Sequence, residues 1–362
     1  MSFSFGSNIR MTVFGGSHTA GIGCVLDGIP AGIAIDLDEV RAFMARRAPG
    51  GETSTARAEA DEFEVLSGIL DGHATGGAIA AVIRNTNTRS QDYSGYLETP
   101  RPGHSDLAAI LKYGKHHDIR GGGHFSGRLT APLCFAGGVC LQLLRACGVM
   151  VAAHILTLGG IADKAFDPLA PSGEEFAAIE ANGFPVILPE AKARMTEKIL
   201  AAKADGDSLG GVIECVVAGL PAGVGEPMFD SVEAVIAHAV FSVPAVKGIE
   251  FGAGFAAAEM RGSENNDALF FDENGDVRAR TNNAGGVLGG IATGMPVIFR
   301  AAVKPTPSIS QSQKTVNLKT RENTQISVGG RHDPSILPRA VPAITAAAAV
   351  AIADLMATGR FL

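Results

Sequence analysis

The stretch Cys24-Val25-Leu26-Asp27-Gly28-Ile29-Pro30-Ala31-Gly32 decides the fold, because it returns further along the chain as Cys215-Val216-Val217-Ala218-Gly219-Leu220-Pro221-Ala222-Gly223. The second copy differs by two conservative changes and by one change of Asp to Ala. In both copies an apolar run of strand character leads into a turn whose Gly and Pro residues preset the backbone dihedrals. The recurrence indicates an internal duplication, with chance reuse of the same turn chemistry as the alternative.

Two further pairs of segments recur in the same order. Gly72-His73-Ala74-Thr75-Gly76 matches Gly290-Ile291-Ala292-Thr293-Gly294, and Gly122-Gly123-His124 matches Gly329-Gly330-Arg331. The first pair precedes β-rich apolar runs, and the second precedes long Ala-rich helical stretches. We therefore expect a single α+β domain over 1–362, with similar halves at about 10–150 and 205–362 and an insertion at about 151–204.

Local signals place a helix in each half. Asp36 or Asp38 can cap a helix over about 37–47, and a counterpart is expected at 231–241. The segment 309–328 has few apolar residues and many Ser, Thr, Gln and Asn residues. It is expected to be a mobile loop that could cover a site.

Composition narrows the class of protein. A net charge of −7 and only 6% aromatic residues argue against a nucleic-acid partner. An apolar fraction of 46% favours self-association. The uncharged runs 129–144 and 340–353 fall short of the roughly 20 residues that span a bilayer, so they predict buried helices and no membrane partner.

The N-terminus and the cysteines point to the same compartment. Residues 1–10 show no apolar segment and no cleavage pattern of an export signal. The cysteines form no CxxC pair, and most of them lie in apolar surroundings: Cys24, Cys134, Cys140, Cys147 and Cys215. Reduced thiols in the cytoplasm fit this pattern best.

A Gly-rich segment carries the strongest sign of chemistry, Gly121-Gly122-Gly123-His124-Phe125-Ser126-Gly127-Arg128. Consecutive glycines let backbone N–H groups turn toward an anion, and the start of the following helix adds further unpaired N–H groups. The segment therefore predicts a phosphate site. An ordinary tight turn capped by Ser126 is the alternative.

Other cationic groups are scattered along the chain in glycine- or proline-containing turns. They occur at 16–18, 101–104, 304–308 and 331–334. His18 follows two glycines and a serine, which give it room to approach a ligand, and imidazole is a side chain suited to general acid catalysis. Cations outnumber obvious bases, so a small ligand with several negative charges is favoured. No HxH, HExxH, DxD, P-loop or GxGxxG pattern supports a metal or a nucleotide site of those kinds.

Taken together, these motifs closely resemble the chorismate synthase family. The matching segments span nearly the whole chain: 16–18, 27–30, 89–93, 101–104, 121–128, 245–250, 304–306 and 331–334. The resemblance implies an internally duplicated α+β fold with helices sandwiched between antiparallel sheets, and a homotetramer. It also implies 1,4-anti elimination of phosphate from 5-enolpyruvylshikimate 3-phosphate to give chorismate, with reduced FMN and with NADPH as a possible source of electrons.

The resemblance also implies roles for individual residues. His18 would protonate the departing phosphate, His104 would control flavin protonation, and Asp333 would act as a base. The FMN would be lined by His124, Phe125, Ser126, Ala245, Gly289, Lys304, Pro305, Thr306, Pro307, Ser308 and Arg331. Substrate anions would be bound by Arg47, Arg101, Arg128 and Arg331, with Arg120 as a further candidate.

Three positions depart from the family pattern. Gly16 stands for the usual Glu, His124 stands for the usual Arg, and Ala48 interrupts an Arg-rich run. A non-catalytic protein that binds flavin or a phosphate ligand is the alternative to the enzyme. A phosphohydrolase would need a metal or a nucleophile that the sequence does not offer.

Overall fold

The fold is built on two antiparallel sheets. The computed structural model describes residues 3–48, 61–85, 95–181, 183–329 and 333–362. Within those ranges each sheet has five strands. The first sheet has the order β1-β2-β3-β7-β4. Its strands are β1 (Ser4–Phe5), β2 (Arg10–Gly15), β3 (Gly21–Asp27), β4 (Phe63–Ser67) and β7 (Ile79–Arg84).

The second sheet has the order β11-β16-β10-β8-β9. Its strands are β8 (Met150–Leu158), β9 (Ile161–Ala162), β10 (Gly211–Ala218), β11 (Val246–Phe251) and β16 (Val297–Val303). Four two-stranded pairs complete the described strands: β5 (Ile69–Leu70) with β6 (His73–Ala74), β12 (Leu269–Phe271) with β13 (Val277–Ala279), β14 (Val287–Leu288) with β15 (Ile291–Ala292), and β17 (Gln313–Asn317) with β18 (Glu322–Ile326).

The helices lie between and around the sheets. They are α1 (Leu37–Ala45), α2 (Asp106–Tyr113), α3 (Thr130–Ala146), α4 (Gly173–Ala181), α5 (Pro189–Ala204), α6 (Val232–Phe241), α7 (Gly262–Asn265) and α8 (Leu337–Thr358). The expected helix at 37–47 is confirmed as α1, where the Asp36 side chain accepts hydrogen bonds from the first-turn N–H groups. The expected helix at 231–241 is α6, which Ser231 caps in the same way.

Helices α3 and α8 form the centre of the molecule. They pack against each other, α3 also contacts β3 and β7, and α8 contacts β8 and β10. Small residues let the two helices approach, because a Cβ on Gly137 would lie 2.3 Å from the Cβ of Ala346. The alternating burial of β7, with Ile79, Ala81 and Ile83 inward, turns the first sheet toward these helices. The expected α+β fold with helices sandwiched between antiparallel sheets is confirmed.

The two apolar runs are longer as helices than expected from the sequence. With the helical turn Gly127–Leu129 that precedes it, α3 extends over Gly127–Ala146, 20 residues, and α8 has 22 residues, so both are long and apolar enough to cross a membrane. The prediction that they are too short was therefore wrong. However, 78% and 94% of their apolar windows are buried within the protein. They are core helices, as expected.

Corresponding elements of the two halves make corresponding hydrogen bonds. The order β2-β3-β7-β4 in the first sheet parallels β8-β10-β16-β11 in the second. Gly32 N donates to Ala74 O at 2.8 Å, and Gly223 N donates to Ala292 O at 2.9 Å. These matches support the duplication, which we keep as a proposal. If β8 is the counterpart of β2, the second copy begins at β8 (Met150–Leu158), which overlaps the insertion expected at about 151–204.

The segment 309–328 is not the mobile loop expected from its composition. It contains the hairpin β17–β18, whose strands pair from Gln313 with Ile326 to Asn317 with Glu322. The hairpin also contacts the first half, since Thr315 Oγ1 donates to Pro100 O at 2.6 Å. Its β-branched Thr and Val residues suit a strand, and backbone pairing does not require an apolar face.

Candidate active site

The glycine turn, residues 121–123, lies between two imidazoles. Its glycines have φ angles of 60°, 81° and 53°, a region that side chains other than glycine's rarely adopt. A Cβ on Gly121 would lie 2.1 Å from His18 Cε1, and a Cβ on Gly122 would lie 3.9 Å from His104 Nε2. The turn therefore needs glycine both for its conformation and for the approach of His18.

The segment that carries His18 follows β2 and docks on the glycine turn. Ser17 N donates to Gly123 O at 3.2 Å, and Ser17 Oγ lies 3.1 Å from His18 Nδ1. The same hydroxyl lies 3.1 Å from the carbonyls of Arg120 and Gly121. His18 is only 7% exposed, and its ring lies against the glycine turn.

His104 belongs to a buried ionic group at the start of α2. Its Nδ1 lies 2.6 Å from Asp106 Oδ1 and 3.1 Å from Arg101 Nη2. Arg101 donates to Asp106 from Nε at 2.7 Å and from Nη2 at 2.9 Å. Burial would raise the pKa of Asp106, but the hydrogen bonds from Arg101 and His104 outweigh it and hold that pKa well below its usual range.

Two of the predicted substrate arginines share one carboxylate. Asp61 accepts from Arg47 Nε at 2.9 Å and also forms a short ion pair with Arg128. All three side chains are at most 6% exposed. Asn85 connects this arginine–aspartate cluster to the His18 segment, because it accepts from Arg128 Nε at 3.3 Å and donates to Gly16 O at 2.9 Å.

Residues 304–308 belong to the second half of the chain and contact the turn that carries His104. Lys304 Nζ donates to Gly103 O, and Arg101 Nη1 donates to Ser308 Oγ at 3.2 Å. Lys304 N bonds to the carbonyl of Ala245, a non-glycine residue with a φ angle of 75°. Burial lowers the pKa of Lys304, and the nearby charge of Lys247 lowers it further. Two neighbouring ammonium groups make this edge of the site attractive to an anion.

His124 and Phe125 lie in a group of aromatic rings. The two ring centroids are 4.4 Å apart, and the Tyr113 ring packs edge-on to His124 at 5.4 Å. Within the described residues, His124 Nε2 and Thr306 Oγ1 are buried atoms without a hydrogen-bond partner. Ser126 Oγ accepts from Arg128 N at 3.2 Å, so the expected cap exists beside the site.

Several predicted residues lie at the margin of the site or away from it. Asp333 accepts from Arg339 Nη1 at 2.6 Å, and Arg339 Nε donates to Arg47 O at 3.0 Å, so Asp333 lies near the arginine–aspartate cluster. Arg120 is exposed and paired with Asp118. Gly289 is an exposed turn residue between β14 and β15. The hydrogen bonds described between that hairpin and other segments lead to residues 223–232 and not to the glycine turn. Arg331 lies outside the described residues.

Sequence reasoning did not single out Asp61, Asn85 or Asp106. Asp106 carried a local signal, a carboxylate two residues after an imidazole at a helix start. The other two carried none, because the fold alone brings Asp61 to Arg128 and Asn85 to the His18 segment. No three His, Cys, Asp or Glu side chains of the described chain are grouped so as to hold a metal ion.

Comparisons with known proteins agree with this architecture. A sequence model of the chorismate synthase family matches residues 9–357. The chorismate synthase of Methanosarcina mazei is 46% identical over 360 residues, which cover 99% of this chain and 97% of that protein. That of Methanocaldococcus jannaschii is 43% identical over 370 residues, with coverages of 99% and 97%. A crystal structure of a chorismate synthase superposes with a TM-score of 0.76 at 26% identity, over 98% of this chain and 93% of that one.

The fold and the site define an α+β protein in which two antiparallel sheets enclose paired helices and charged side chains meet at a glycine turn. The chain belongs to the chorismate synthase family. These likenesses support chorismate synthase function and make the protein a lyase. They confirm the family, the fold class and the function expected from the motifs.

Proposed function

We propose that this chain converts 5-enolpyruvylshikimate 3-phosphate to chorismate by 1,4-anti elimination of phosphate, with reduced FMN bound. The observation that carries the proposal is the position of the glycine turn between His18 and His104. A turn rich in backbone N–H groups can hold an anion, and the two imidazoles can hold protons beside it. The bond from C3 to the phosphate oxygen breaks and hydrogen leaves C6, so that a diene and inorganic phosphate form.

The cationic side chains suit a substrate with two carboxylates and one phosphate. Arg47 and Arg128 both contact Asp61, which leaves this cluster with an excess of one positive charge. A charge-assisted hydrogen bond is worth roughly 1.5–3 kcal/mol net, so a few of them are sufficient for specific binding. We propose that Arg47 and Arg128 bind substrate anions, with Arg331 and Arg120 as further candidates. Arg101 also belongs to this predicted set, but its donors already contact Asp106 and Ser308.

The residues around 124 and 304–308 fit a flavin mononucleotide. Thr306 Oγ1 and His124 Nε2 are buried and without hydrogen-bond partners in the described protein, so both can serve a bound heterocycle or phosphate. The Lys304 ammonium, close to Lys247, would face the phosphate. The proposed FMN-binding set further includes Phe125, Ser126, Ala245, Gly289, Pro305, Pro307 and Ser308. Reduced flavin, when bound, supplies an electron and accepts hydrogen.

Three side chains hold or move protons in this proposal. His18 gives a proton to the oxygen of the departing phosphate. His104 holds or withholds a proton at Nε2, the nitrogen near Gly122. Asp333, whose Oδ2 is held 2.6 Å from Arg339 Nη1, takes up the proton that the substrate finally loses. Groups in these roles typically contribute 10²–10⁴-fold each, as a rough range.

The location and the assembly state belong to the same proposal. All five cysteines are unpaired, and four of them are buried. This pattern suits a reducing compartment such as the cytoplasm. Exposed apolar side chains are plentiful in the second half, with Phe229, Phe255 and Phe271 at least 76% exposed. Such a surface suits the homotetramer that the family resemblance implies.

One assay tests the proposal and its alternative. The protein is incubated anaerobically with 5-enolpyruvylshikimate 3-phosphate and dithionite-reduced FMN, and chorismate and inorganic phosphate are measured. We expect equal amounts of both products, and none when the flavin is left oxidised. A second reaction with NADPH and oxidised FMN tests whether the chain reduces its own flavin. Tight FMN binding without turnover would favour the non-catalytic binding protein instead.

A further inference from the structure

Asp106 holds the most concentrated set of hydrogen bonds in the site, and the function described above does not use it. This first residue of α2 has a side chain only 1% exposed. Its carboxylate accepts from Arg101 N at 3.1 Å, Arg101 Nε at 2.7 Å, Arg101 Nη2 at 2.9 Å and His104 Nδ1 at 2.6 Å. Each oxygen therefore has two donors.

These contacts determine which nitrogen of His104 carries hydrogen. A carboxylate can only accept, and a guanidinium can only donate. The Ser105 hydroxyl also lies 3.4 Å from Nδ1, and a hydroxyl can donate or accept. The Asp106 carboxylate is the nearest group at 2.6 Å and can only accept a hydrogen bond from the ring, so Nδ1 must be protonated. The carboxylate is ionised, because the bonds from Arg101 and His104 outweigh the effect of burial on its pKa. Nε2 is left as the nitrogen that faces Gly122.

We propose that Asp106 is a positioning residue that fixes neutral His104 as the Nδ1–H tautomer and directs the Nε2 lone pair toward the glycine turn. In the described part of the chain the Asp106 carboxylate accepts hydrogen bonds from Arg101 and His104, so it acts on the site through the ring. The tautomer assignment is independent of the reaction, and only its effect on turnover rests on the proposed function. The buried pair with Arg101 also keeps the carboxylate ionised and fixed in place.

The Asp106→Asn variant provides a sharp test because Arg101 dictates how the amide orients. Arg101 donates to the Oδ2 position from N and Nε and to the Oδ1 position only from Nη2, so the amide oxygen keeps more hydrogen bonds at the Oδ2 position. The amide nitrogen then takes the place of Oδ1, where it donates to His104 Nδ1. Neutral His104 is therefore expected to switch to the Nε2–H tautomer while the ring stays where it is.

The measurement uses the full chain labelled with ¹⁵N-histidine. The protein has nine histidines, and the His104 signals are assigned by their loss in His104→Gln. At a pH where the ring is neutral, we expect wild-type His104 to show a protonated Nδ1 and a bare Nε2, and Asp106→Asn to show the reverse. The kcat of that variant should fall by roughly 10²–10⁴-fold with KM changed by less than about threefold.

Asp36→Asn is the matched control. Asp36 also lies at a helix start, where its carboxylate accepts, among the described residues, only from Asp38 N and Glu39 N. Its replacement should change neither the His104 spectrum nor kcat. A wild-type spectrum with neutral Nε2–H would overturn the proposal, even if Asp106→Asn fails to fold. So would an unchanged tautomer in folded Asp106→Asn. Absence of turnover in the wild type would refute the proposed function and leave the tautomer result standing.

Discussion

The two nitrogens of the His104 imidazole lie in different surroundings. Nδ1 is enclosed by Asp106 and Arg101, whereas Nε2 lies on the side of the glycine turn. His18 presents its ring to the neighbouring glycine of the same turn. The turn therefore lies between two imidazoles, and in the proposed elimination each of them can carry its own proton.

Replacement of His104 should affect turnover more than folding. His104→Ala removes a ring whose side chain is 20% exposed at the site, so we expect the thermal midpoint to stay within a few degrees. Turnover in the reduced-FMN assay should fall by roughly 10²–10⁴-fold. His73→Ala is the control, because His73 is exposed in β6 and contacts only the Asp71 carbonyl in the described hydrogen bonds. Equal turnover in both variants would remove His104 from the mechanism.

A methyl group on the glycine turn should disable the site through His18. Gly121→Ala places a Cβ 2.1 Å from His18 Cε1, so the ring must move away from the turn. Gly148→Ala is the matched control, since Gly148 also has a positive φ, 79°, but a Cβ added there would meet no atom within 4 Å. Both variants should lose about 1 kcal/mol of stability from the backbone conformation.

Only Gly121→Ala should also lose turnover, by at least about tenfold, because it alone displaces His18, the proposed general acid. The checks are chemical denaturation for the free energy of unfolding and the reduced-FMN assay for turnover. Retained activity in Gly121→Ala would mean that the position of His18 against the turn is not needed.

Among helices and strands, those with local signals were predictable. Asp36 and Ser231 cap α1 and α6 near the expected positions because an N-cap depends only on the next few residues. The hairpin β17–β18 was missed because its stability comes from pairing and from Pro100 and Glu98 in the first half. In the arginine–aspartate cluster, Arg47 and Arg128 were predicted but Asp61 was not. No local pattern joins Asp61 to these arginines, which are 14 and 67 positions away.

The packing of α3 on α8 gives a prediction about stability. A Cβ on Gly137 would lie 2.5 Å from the Cα of Ala346, so the helix backbones must separate. Gly137→Ala should therefore lower the free energy of unfolding by about 1–3 kcal/mol. Gly138→Ala is the matched control. It has the same gain in helix propensity, roughly 1 kcal/mol, but its Cβ would contact only side-chain atoms, the nearest at 3.3 Å.

The difference between these two neighbouring variants isolates the contact between the helices. It is measured by denaturant unfolding of both proteins under the same conditions. Equal stabilities would show that the crossing of α3 and α8 can relax without cost.

In the whole molecule, a second and smaller apolar cluster lies outside the main core and joins the segment 159–210 to the second sheet. In the second half, Phe166, Ile179 and Ile187 from the segment 159–210 pack on Val216 and Ile298. A buried ionic group joins the same parts, because His154 of β8 lies between Asp163 and Glu214 at 3.0 and 3.3 Å. The segment is thus attached to the sheet by apolar contacts and by one imidazole with two carboxylates.

That ionic group should make stability depend on pH through His154. Burial alone would lower its pKa, but the hydrogen bonds to Asp163 and Glu214 outweigh it and raise the pKa above the ordinary value. A group with a raised folded pKa stabilises fully below its unfolded pKa, about 6.5, and loses that contribution as the pH rises through the folded value. Removing the imidazole should cost about 3 kcal/mol below that pH, the low end for a buried pair that loses one partner, because Glu214 keeps Arg300 Nε at 3.3 Å. We therefore expect the difference in thermal midpoint between wild type and His154→Gln to be largest near pH 6 and to shrink toward pH 9. The exposed His116→Gln serves as control, and a difference that grows with pH would show that neutral His154 is the stabilising form.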